Sequence, residues 1–489
     1  MDIDDNKPPT GLAPETTTTT ADHLCVLVHG LWGNPSHLDF IASSLRDRHS
    51  EDRLHILAAT RNTGNFTYDG IELGGERLTH EIEETLDKLK AEGHQVTKLS
   101  IVGYSLGGLV ARYAVGLLYA RGWFDKLEPV NFTTFASPHV GARRPLKGLQ
   151  SYLWNSLGPR VISMSGRQLF MVDSFRDTGR PLLSILADQD SIFIQALTRF
   201  KHRSIYANVV NDRSTSFYAT FISTGDLFQD PERARITYVK GYEPVIVDVS
   251  VEIDPSIPPE HEPPVSLPLA TRIRQWTSWV TSNIRPWLFL LLFFSIALPL
   301  FLMSSVLEGF RSRQRIRLHE EGKSGITVRH YRVPFLVQNA MEEAFENINA
   351  GQSPEYLSDT EEVKNRQDMR LQPRTPSSNN STLLSKQHRT PKPNGNISTN
   401  PSISDPEDLS SEDSGESGAD GKRHRPRLAL TADQFSIVES LNSVGFRKYP
   451  VYIHNHRHSH AAIIVRAPKK EFDEGKLVIQ HWLDKEFEI

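Results

Sequence analysis

The chain has 489 residues and is 38% hydrophobic, so its length allows about three domains but its composition is low for three packed cores. Lys and Arg (55) nearly balance Asp and Glu (59), and a net charge of −4 supplies no basic field for nucleic acid, which is not an expected partner. The single cysteine, Cys25, excludes an internal disulfide and a Cys-based zinc module, and it favours a reducing, cytosol-facing location.

Residues 1–21 are acidic and rich in Pro and Thr, and we expect them to form a disordered leader. Residues 22–250 alternate short apolar runs with helical patterns, which predicts an α/β fold with a mostly parallel sheet. The predicted strands are LCVLV (24–28), LHILAA (54–59), LSIVG (99–103), VNFTTFA (130–136) and SIYANVV (204–210). Helical spacing of apolar residues predicts helices over 73–91 and 106–121.

The next part of the chain has the composition of a membrane-binding region. Residues 251–285 are Pro-rich and predict a stiff linker. They lead to a hydrophobic segment, 286–307, in which the 21 residues from Trp287 to Leu307 carry no charge. A basic region, 308–351, follows. It begins with a cluster of arginines expected to face anionic headgroups or, alternatively, to lie on a solvated loop: Arg311, Arg313, Arg315 and Arg317.

The remaining sequence returns from low complexity to a globular composition. Residues 352–428 are rich in Ser, Asn, Pro and acidic residues and predict a disordered insertion, in which Thr375 and Thr390 precede prolines and are possible kinase sites. Residues 429–489 have a globular composition, and HAAIIVR and KLVIQHW are predicted to form strands.

Residues 101–113, IVGYSLGGLVARY, contain the strongest chemical motif. Gly103, Ser105 and Gly107 form a Gly-x-Ser-x-Gly pattern between a predicted strand and a predicted helix. This arrangement predicts a nucleophile elbow, because glycines leave room around a serine on a sharp turn. Ser105 is therefore the candidate nucleophile, and the alternative is a serine that only caps the helix.

The run VLVHGLWG at 26–33 predicts a buried strand that ends at His29 and Gly30. In serine hydrolases with this architecture, a loop after an early strand and the residue after the nucleophile supply the oxyanion-hole amides. The candidate donors are the backbone N–H groups of Leu31 and Leu106, with His29 shaping the loop. An ordinary turn is the alternative.

Four motifs, namely VLVHGLWG, IVGYSLGGLVARY, TFASPHVGAR (134–143) and IYANVVNDRSTSF (205–217), resemble the putative serine esterase family of lipase-like α/β-hydrolases. With the apolar segment, the long tail and the terminal HAAIIVR, the chain is most similar to the fungal lipid-droplet phospholipases of that family. The resemblance covers roughly residues 22–250 and 430–489. It implies an α/β-hydrolase fold, interrupted here by the membrane-binding segment and the disordered insertion.

The resemblance also implies the other two members of a catalytic triad in the order Ser, Asp, His. Asp212 matches the Asn-Asp-Arg position of the family, with Asp188 and Asp190 as alternatives. The histidine directly before the Ile-Ile-Val-Arg run is His460, with His458 as the alternative. His460 would take the proton of Ser105 while Asp212 holds its tautomer.

A histidine run precedes His460 at a spacing of two residues, which on an extended strand would place its members on one face. It comprises His454, His456, His458 and His460. A metal site is the competing interpretation, but the run contains no Cys or carboxylate. We expect no metal and no cofactor, because serine-dependent ester hydrolysis needs neither.

A single membrane crossing by residues 286–307 would separate Ser105 from His460. Because Pro299 interrupts the apolar run, a hairpin that enters and leaves one face of a lipid surface is the topology compatible with a triad. Basic residues on both sides of the segment are consistent with this topology. A helix buried in the hydrolase core is the alternative.

The sequence and the resemblance together predict a serine-dependent phospholipase that cleaves acyl esters of glycerophospholipids. The expected location is the lipid droplet, or alternatively the cytosolic face of the endoplasmic reticulum membrane. A neutral-lipid esterase or an acyltransferase would use the same triad, and an inactive hydrolase scaffold is a further alternative.

Overall fold

The computed structural model describes residues 21–145, 149–226, 228, 236–250, 298–321 and 427–489. The predicted leader, linker and Ser/Asn/Pro-rich insertion lie outside the described residues, except for Ala21 at the end of the leader and residues 427 and 428 at the end of the insertion. Most of the predicted hydrophobic segment also lies outside them.

A six-stranded sheet forms the centre of the fold. Its strands are β1 (His23–Val28), β2 (Leu54–Ala58), β3 (Lys98–Tyr104), β4 (Glu128–Phe135), β5 (His202–Asn208) and β6 (Arg447–Val451). They lie in the order β2-β1-β3-β4-β5-β6, and each neighbouring pair is parallel. The predicted α/β fold class and the five predicted strands are confirmed.

Helices cover both faces of this sheet, as a parallel sheet requires. The described helices before residue 251 are α1 (Asp39–Arg48), α2 (Ile71–Ala91), α3 (Leu106–Ala120), α4 (Leu149–Val161), α5 (Ser163–Leu169), α6 (Leu182–Leu186), α7 (Ile192–Thr198) and α8 (Phe217–Phe221). Those after it are α9 (Leu298–Glu320), α10 (Ala432–Ser443), α11 (Ser459–Ala462) and α12 (Glu474–Lys485). The two predicted helices correspond to α2 and α3.

The central strands read as continuous apolar runs because both of their faces are buried. Every residue of β1 is buried, and so is every residue of β3 after Lys98. Burying one large apolar side chain contributes about 1.5–3 kcal/mol. Towards the carboxyl-terminal part of the chain, Trp482 packs edge-on against Phe135 with ring centroids 5.8 Å apart. The last residues of the chain thus belong to the same core as β4.

The C-terminal strand predictions were wrong. Helix α11 spans Ser459 and the first three residues of HAAIIVR, and KLVIQHW lies within α12. In α12 the buried apolar residues Val478, Ile479, Trp482 and Leu483 recur at helical spacing, which lets one helix face cover the sheet. The strand that this region does contribute is β6, which pairs with β5 and contains Pro450. Proline is tolerated there because β6 is an edge strand.

Only the end of the predicted hydrophobic segment can be compared with the structure. Residues 286–297 lie outside the described residues, whereas Leu298 begins α9 and Pro299 occupies its first turn. Within the part of the chain that the structure describes, no helix is long and apolar enough to cross a membrane. Helix α9 instead packs against α4, α5 and the short 3-10 helix Gly64–Tyr68.

Candidate active site

Ser105 lies on a sharp turn between β3 and α3. Its backbone has φ 54° and ψ −127°, a left-handed φ that non-glycine residues rarely adopt. The Ser105 amide donates a hydrogen bond of 2.9 Å to Phe135 O at the end of β4. Because the neighbouring strand holds the turn, the strained residue presents its side chain above the carboxyl edge of the sheet.

The glycines on either side of Ser105 allow the close packing that this turn requires. A Cβ atom on Gly103 would lie 2.4 Å from Gly108 Cα, and one on Gly107 would lie 2.2 Å from Val28 O. Both distances are below any real contact, so any side chain at these positions would push α3 away from β1 and β3. The structure therefore supplies the physical reason for the Gly-x-Ser-x-Gly pattern.

The structure brings the three predicted triad residues together. His460 Nε2 lies 3.0 Å from Ser105 Oγ, and His460 Nδ1 lies 2.9 Å from Asp212 Oδ2. An Nδ1–H that donates to Asp212 leaves Nε2 free to accept the hydroxyl proton of Ser105. The two partners of His460 come from parts of the chain separated from it by 355 and 248 positions.

Asp212 follows β5 and is held as an acceptor on both carboxylate oxygens. Its Oδ1 accepts from the Thr215 amide at 2.8 Å and the Ser214 amide at 3.0 Å, and its Oδ2 accepts from Asn208 Nδ2 at 2.8 Å. Burial raises the pKa of this carboxyl, but the charge of protonated His460 and these hydrogen bonds outweigh burial, so its pKa is lowered. Asp212 is therefore ionised at neutral pH.

His460 is positioned by groups that the motif analysis did not identify. The hydroxyl of Tyr104, the residue before Ser105, donates to His460 O at 3.0 Å. Ser459 Oγ donates to Val210 O at 2.7 Å, which ties α11 to the loop that carries Asp212. Tyr104 is part of the Gly-x-Ser-x-Gly motif, and Asn208 is the last residue of β5. Their positions were visible in the sequence, but their roles depend on partners far along the chain.

The residues predicted as alternatives to Asp212 and His460 do not take part in the triad. Asp188 accepts a hydrogen bond of 2.7 Å from Arg180, and Asp190 is exposed. His458 is the residue before α11, and its backbone N–H donates to His456 Nδ1 at 2.9 Å. The predicted arrangement of the histidines on one strand face is wrong, because the chain bends at residues 455 and 457 and His460 lies in a helix.

The backbone of the loop after β1 lies close to Ser105, as it must if this loop supplies an oxyanion-hole amide. A Cβ atom on Gly30 would lie 2.7 Å from Ser105 Cβ, so only glycine allows this approach. Leu31 and Leu106 line the same pocket as Ser105. Leu106 begins α3, where the first amides have no acceptor within the helix and face outward. Backbone N–H groups in these places can stabilise charge on a bound carbonyl oxygen.

His29 and His139 are buried and have structural positions. His29 Nδ1 is 3.1 Å from Gly30 O, and burial lowers the His29 pKa to about 4, so its neutral ring shapes the loop. His139 Nε2 lies 2.9 Å from Thr134 Oγ1, and burial also lowers its pKa well below the usual value. In the regions that the structure describes, no group of three or more His, Cys, Asp or Glu residues is placed to bind a metal ion.

The pocket in front of Ser105 is mainly apolar. Its lining comprises Leu31, Trp32, Leu106, Pro138, Ala142, Ile162, Leu169 and Phe170, together with Ser105, Ser214 and Thr215. Part of this wall comes from α5 and the residues beside it. Such a lining suits a hydrocarbon chain attached to the group that Ser105 would attack.

The chain combines a parallel sheet with a strained serine between β3 and α3 and a histidine held between that serine and a buried aspartate. This combination defines an α/β-hydrolase of the serine type. The predicted family resemblance is confirmed, because the model of the family described as "Putative serine esterase (DUF676)" matches residues 18–224. The matched residues contain β1 to β5, Ser105 and Asp212, whereas β6 and His460 lie outside them.

Curated relatives carry lipase names. The chain is 30% identical over 247 residues to "Putative lipase ROG1" of Saccharomyces cerevisiae, a match that covers 49% of this chain and 34% of that protein. It is 28% identical over 212 residues to "Putative lipase C4A8.10" of Schizosaccharomyces pombe, covering 42% of this chain and 26% of that protein. The chain thus spans about a third or less of the length of these relatives.

Among solved structures, the product of gene lin2722 from Listeria innocua is similar at 16% identity with a TM-score of 0.23, over 38% of this chain and 71% of that one. An extracellular α/β-hydrolase from a Paenibacillus species is similar at 18% identity with a TM-score of 0.17, over 26% of this chain and 42% of that one.

Proposed function

We propose that this chain is a serine-dependent phospholipase that hydrolyses acyl esters of glycerophospholipids at a lipid surface. The observation that carries the proposal is the position of His460, within hydrogen-bond distance of both Ser105 Oγ and Asp212 Oδ2. The apolar pocket in front of Ser105 supports an acyl substrate, and none of the described residues that line it is charged.

The geometry supports a two-step reaction. Ser105 Oγ attacks the ester carbonyl carbon while its proton passes to His460 Nε2, and Asp212 stabilises the imidazolium. The Leu31 and Leu106 amides donate hydrogen bonds to the carbonyl oxygen and so stabilise the negative charge that develops on it. His460 then protonates the leaving glycerol oxygen. A water molecule that gives its proton to His460 attacks the acyl-enzyme ester, and the fatty acid leaves as Ser105 regains its proton.

A lipid surface is favoured by the distribution of exposed apolar side chains. Among the described residues, seven of the eight large exposed ones lie on α9 or on elements beside it: Leu157, Val172, Met303, Val306, Leu307, Phe310 and Leu318. Helix α9 packs against α4 and α5, and α5 borders the acyl pocket. Exposed apolar side chains concentrated in one region of a protein favour a lipid or protein contact there. We propose the lipid droplet, or the endoplasmic reticulum membrane facing the cytosol, as its location.

The test is fatty-acid release from mixed micelles of phosphatidylcholine, phosphatidylethanolamine and triacylglycerol. The intact protein is compared with Ser105→Ala, His460→Ala and, as a matched control, His458→Ala. We expect phospholipid cleavage by the intact protein and by the control, with a loss of several orders of magnitude in the other two variants. Release from triacylglycerol alone would assign a neutral-lipid esterase, and the absence of any release would contradict the proposal.

A further inference from the structure

Trp32 follows the proposed oxyanion donor Leu31 and has an unusual backbone. Its φ is 54°, in the left-handed region that side chains disfavour, and its side chain is 3% exposed. Such a conformation persists only where surrounding contacts determine it. The contacts that hold Trp32 therefore also hold the direction of the neighbouring Leu31 amide.

Those contacts come from the 3-10 helix Gly64–Tyr68. Thr67 Oγ1 accepts from the Trp32 backbone N–H at 3.1 Å, and Tyr68 Oη accepts from Trp32 Nε1 at 2.8 Å. The Gly64 amide donates to Gly33 O at 2.8 Å, one residue further along the same loop. Three hydrogen bonds thus join the oxyanion loop to this short helix. The position of the 3-10 helix therefore determines the position of the oxyanion loop.

Helix α9 holds the other side of the 3-10 helix. Arg315 donates to both carboxylate oxygens of Asp69, with Nε 2.8 Å from Oδ2 and Nη2 2.7 Å from Oδ1. Asp69 directly follows the 3-10 helix, and its side chain is fully buried. Arg315 Nη2 also donates to Asn65 O at 3.2 Å, and Ser312 Oγ donates to Tyr68 O at 3.3 Å.

We propose that Arg315 and Asp69 are positioning residues for the oxyanion hole, through which α9 holds the loop of Leu31 in its catalytic geometry. The bidentate pair is strong because it is largely desolvated and matches the planar guanidinium to the carboxylate. A second arginine, Arg77, also donates to Asp69 Oδ2 at 2.7 Å, so the carboxylate retains one cation when Arg315 is removed. This inference rests on the proposed serine-hydrolase function and adds a role for an arginine expected to face lipid headgroups.

The test measures hydrolysis of a short-chain p-nitrophenyl ester in solution, so that lipid binding does not enter. For Arg315→Met we expect kcat to fall roughly 10-fold to 100-fold with little change in KM, because a misplaced oxyanion donor acts on the transition state. Arg315→Lys should keep an intermediate kcat, since lysine restores the charge but not the two parallel hydrogen bonds. The matched control is Arg317→Met, which removes an arginine that is 79% exposed on the same helix.

A double-mutant cycle separates positioning from general destabilisation. Tyr68→Phe removes only the Trp32–Tyr68 hydrogen bond, and its effect on kcat should be much smaller in the Arg315→Met background than in the intact protein. Melting curves establish that each variant is folded at the assay temperature, and Arg315→Lys carries the test if Arg315→Met does not fold.

Three outcomes would overturn the positioning role while leaving the proposed function intact. The first is an unchanged kcat in folded Arg315→Met, and the second is a change in KM alone. The third is a double-mutant cycle in which the two substitutions have independent, multiplicative effects on kcat. An intact protein that neither hydrolyses the ester nor reacts with a fluorophosphonate would instead overturn the proposed function, and the positioning role with it.

Discussion

Ser105, His460 and Asp212 form a unit in which each residue is oriented by the next. The strained Ser105 is held by the hydrogen bond of its amide to Phe135, His460 by hydrogen bonds at both ring nitrogens, and Asp212 by two backbone amides and the Asn208 side chain. Because the carboxylate selects the tautomer of the ring, a change at Asp212 affects the proton acceptor as well as the charge.

Replacing Asp212 by Asn should lower kcat by about 10⁴-fold with little change in fold, since an amide leaves the geometry but favours the wrong His460 tautomer. The measurement is steady-state hydrolysis of a soluble ester from pH 6 to 9. Asp188→Asn is the matched control, because Asp188 pairs with Arg180 at the surface and such pairs contribute little. An Asp212→Asn variant with more than about a tenth of the original kcat would exclude Asp212 as the triad acid.

At the scale of the element, α9 has an inverted arrangement of polar and apolar side chains. Its buried positions include Ser305, Glu308 and Ser312, whereas Met303 and Phe310 are 58% and 64% exposed. A helix that packs on a protein normally buries its apolar face. Where its side chains are described, α9 instead contacts the hydrolase through polar groups and leaves several large apolar side chains exposed, Met303 and Phe310 among them.

Substituting Val306 and Phe310 by Ser should weaken binding to anionic phospholipid vesicles about 10-fold or more, because two large side chains no longer enter the acyl region. Hydrolysis of a soluble ester should stay unchanged, since both side chains are exposed and neither lines the pocket in front of Ser105. Vesicle sedimentation measures the first effect, with Val249→Ser as the control for an exposed apolar residue elsewhere, at 48% exposure. Equal binding by the double variant and the intact protein would argue that the face contacts something other than lipid.

At the scale of the whole molecule, two distant parts of the chain complete one sheet and one site. Residues 427–489 supply β6, which pairs with β5, and they supply His460. The parallel arrangement places the carboxyl ends of β3 and β5 at one edge, where Ser105 and Asp212 follow their strands. The His460 loop follows β6 at the same edge.

Replacing residues 352–426 by a short Gly/Ser linker should leave the hydrolysis of a soluble ester within about 2-fold of the intact protein, because a flexible connection adds little entropy cost. No described strand or triad residue lies in that stretch. The matched variant ends the chain at residue 426, and it should lose both ester hydrolysis and fluorophosphonate labelling. An inactive but folded linker variant would show that the replaced residues contribute to the site.

Buried histidines make the stability of the whole domain sensitive to acid. Burial lowers the pKa of His23 to about 4 and that of His29 to about 4, against an ordinary value of 6.5. The unfolded chain therefore binds these protons first as the pH falls. The stability that the neutral rings provide is complete above pH 6.5 and is lost progressively towards pH 4.

Urea unfolding should show a free energy of unfolding that decreases between pH 7 and pH 5 by at most about 2 kcal/mol for each such ring. His23→Gln should reduce this decrease, because glutamine keeps a polar partner for Ser100, which lies 2.7 Å from His23, but does not titrate. A pH dependence identical in the variant and the intact protein would contradict the assignment of His23.

Local sequence patterns were enough to predict the α/β class, the first five strands, the nucleophile motif and the approach of the Gly30 loop to Ser105. These features depend on local patterns, because apolar periodicity selects strands and helices, and a Gly-x-Ser-x-Gly turn works only with glycine around Ser105. The resemblance of the motifs pointed to Asp212 and His460, which the strand pattern alone left among several candidates.

Which elements the C-terminal residues form, and what the arginines of α9 contact, depend on packing between distant parts of the chain. KLVIQHW has a composition compatible with strand or helix, and packing of one face on the sheet selected α12. Arg315 belongs to a basic cluster in sequence, but Asp69, 246 positions away, is its partner in space. The roles of Tyr104, Asn208 and Arg315 depend on such long-range contacts, which local sequence patterns do not encode.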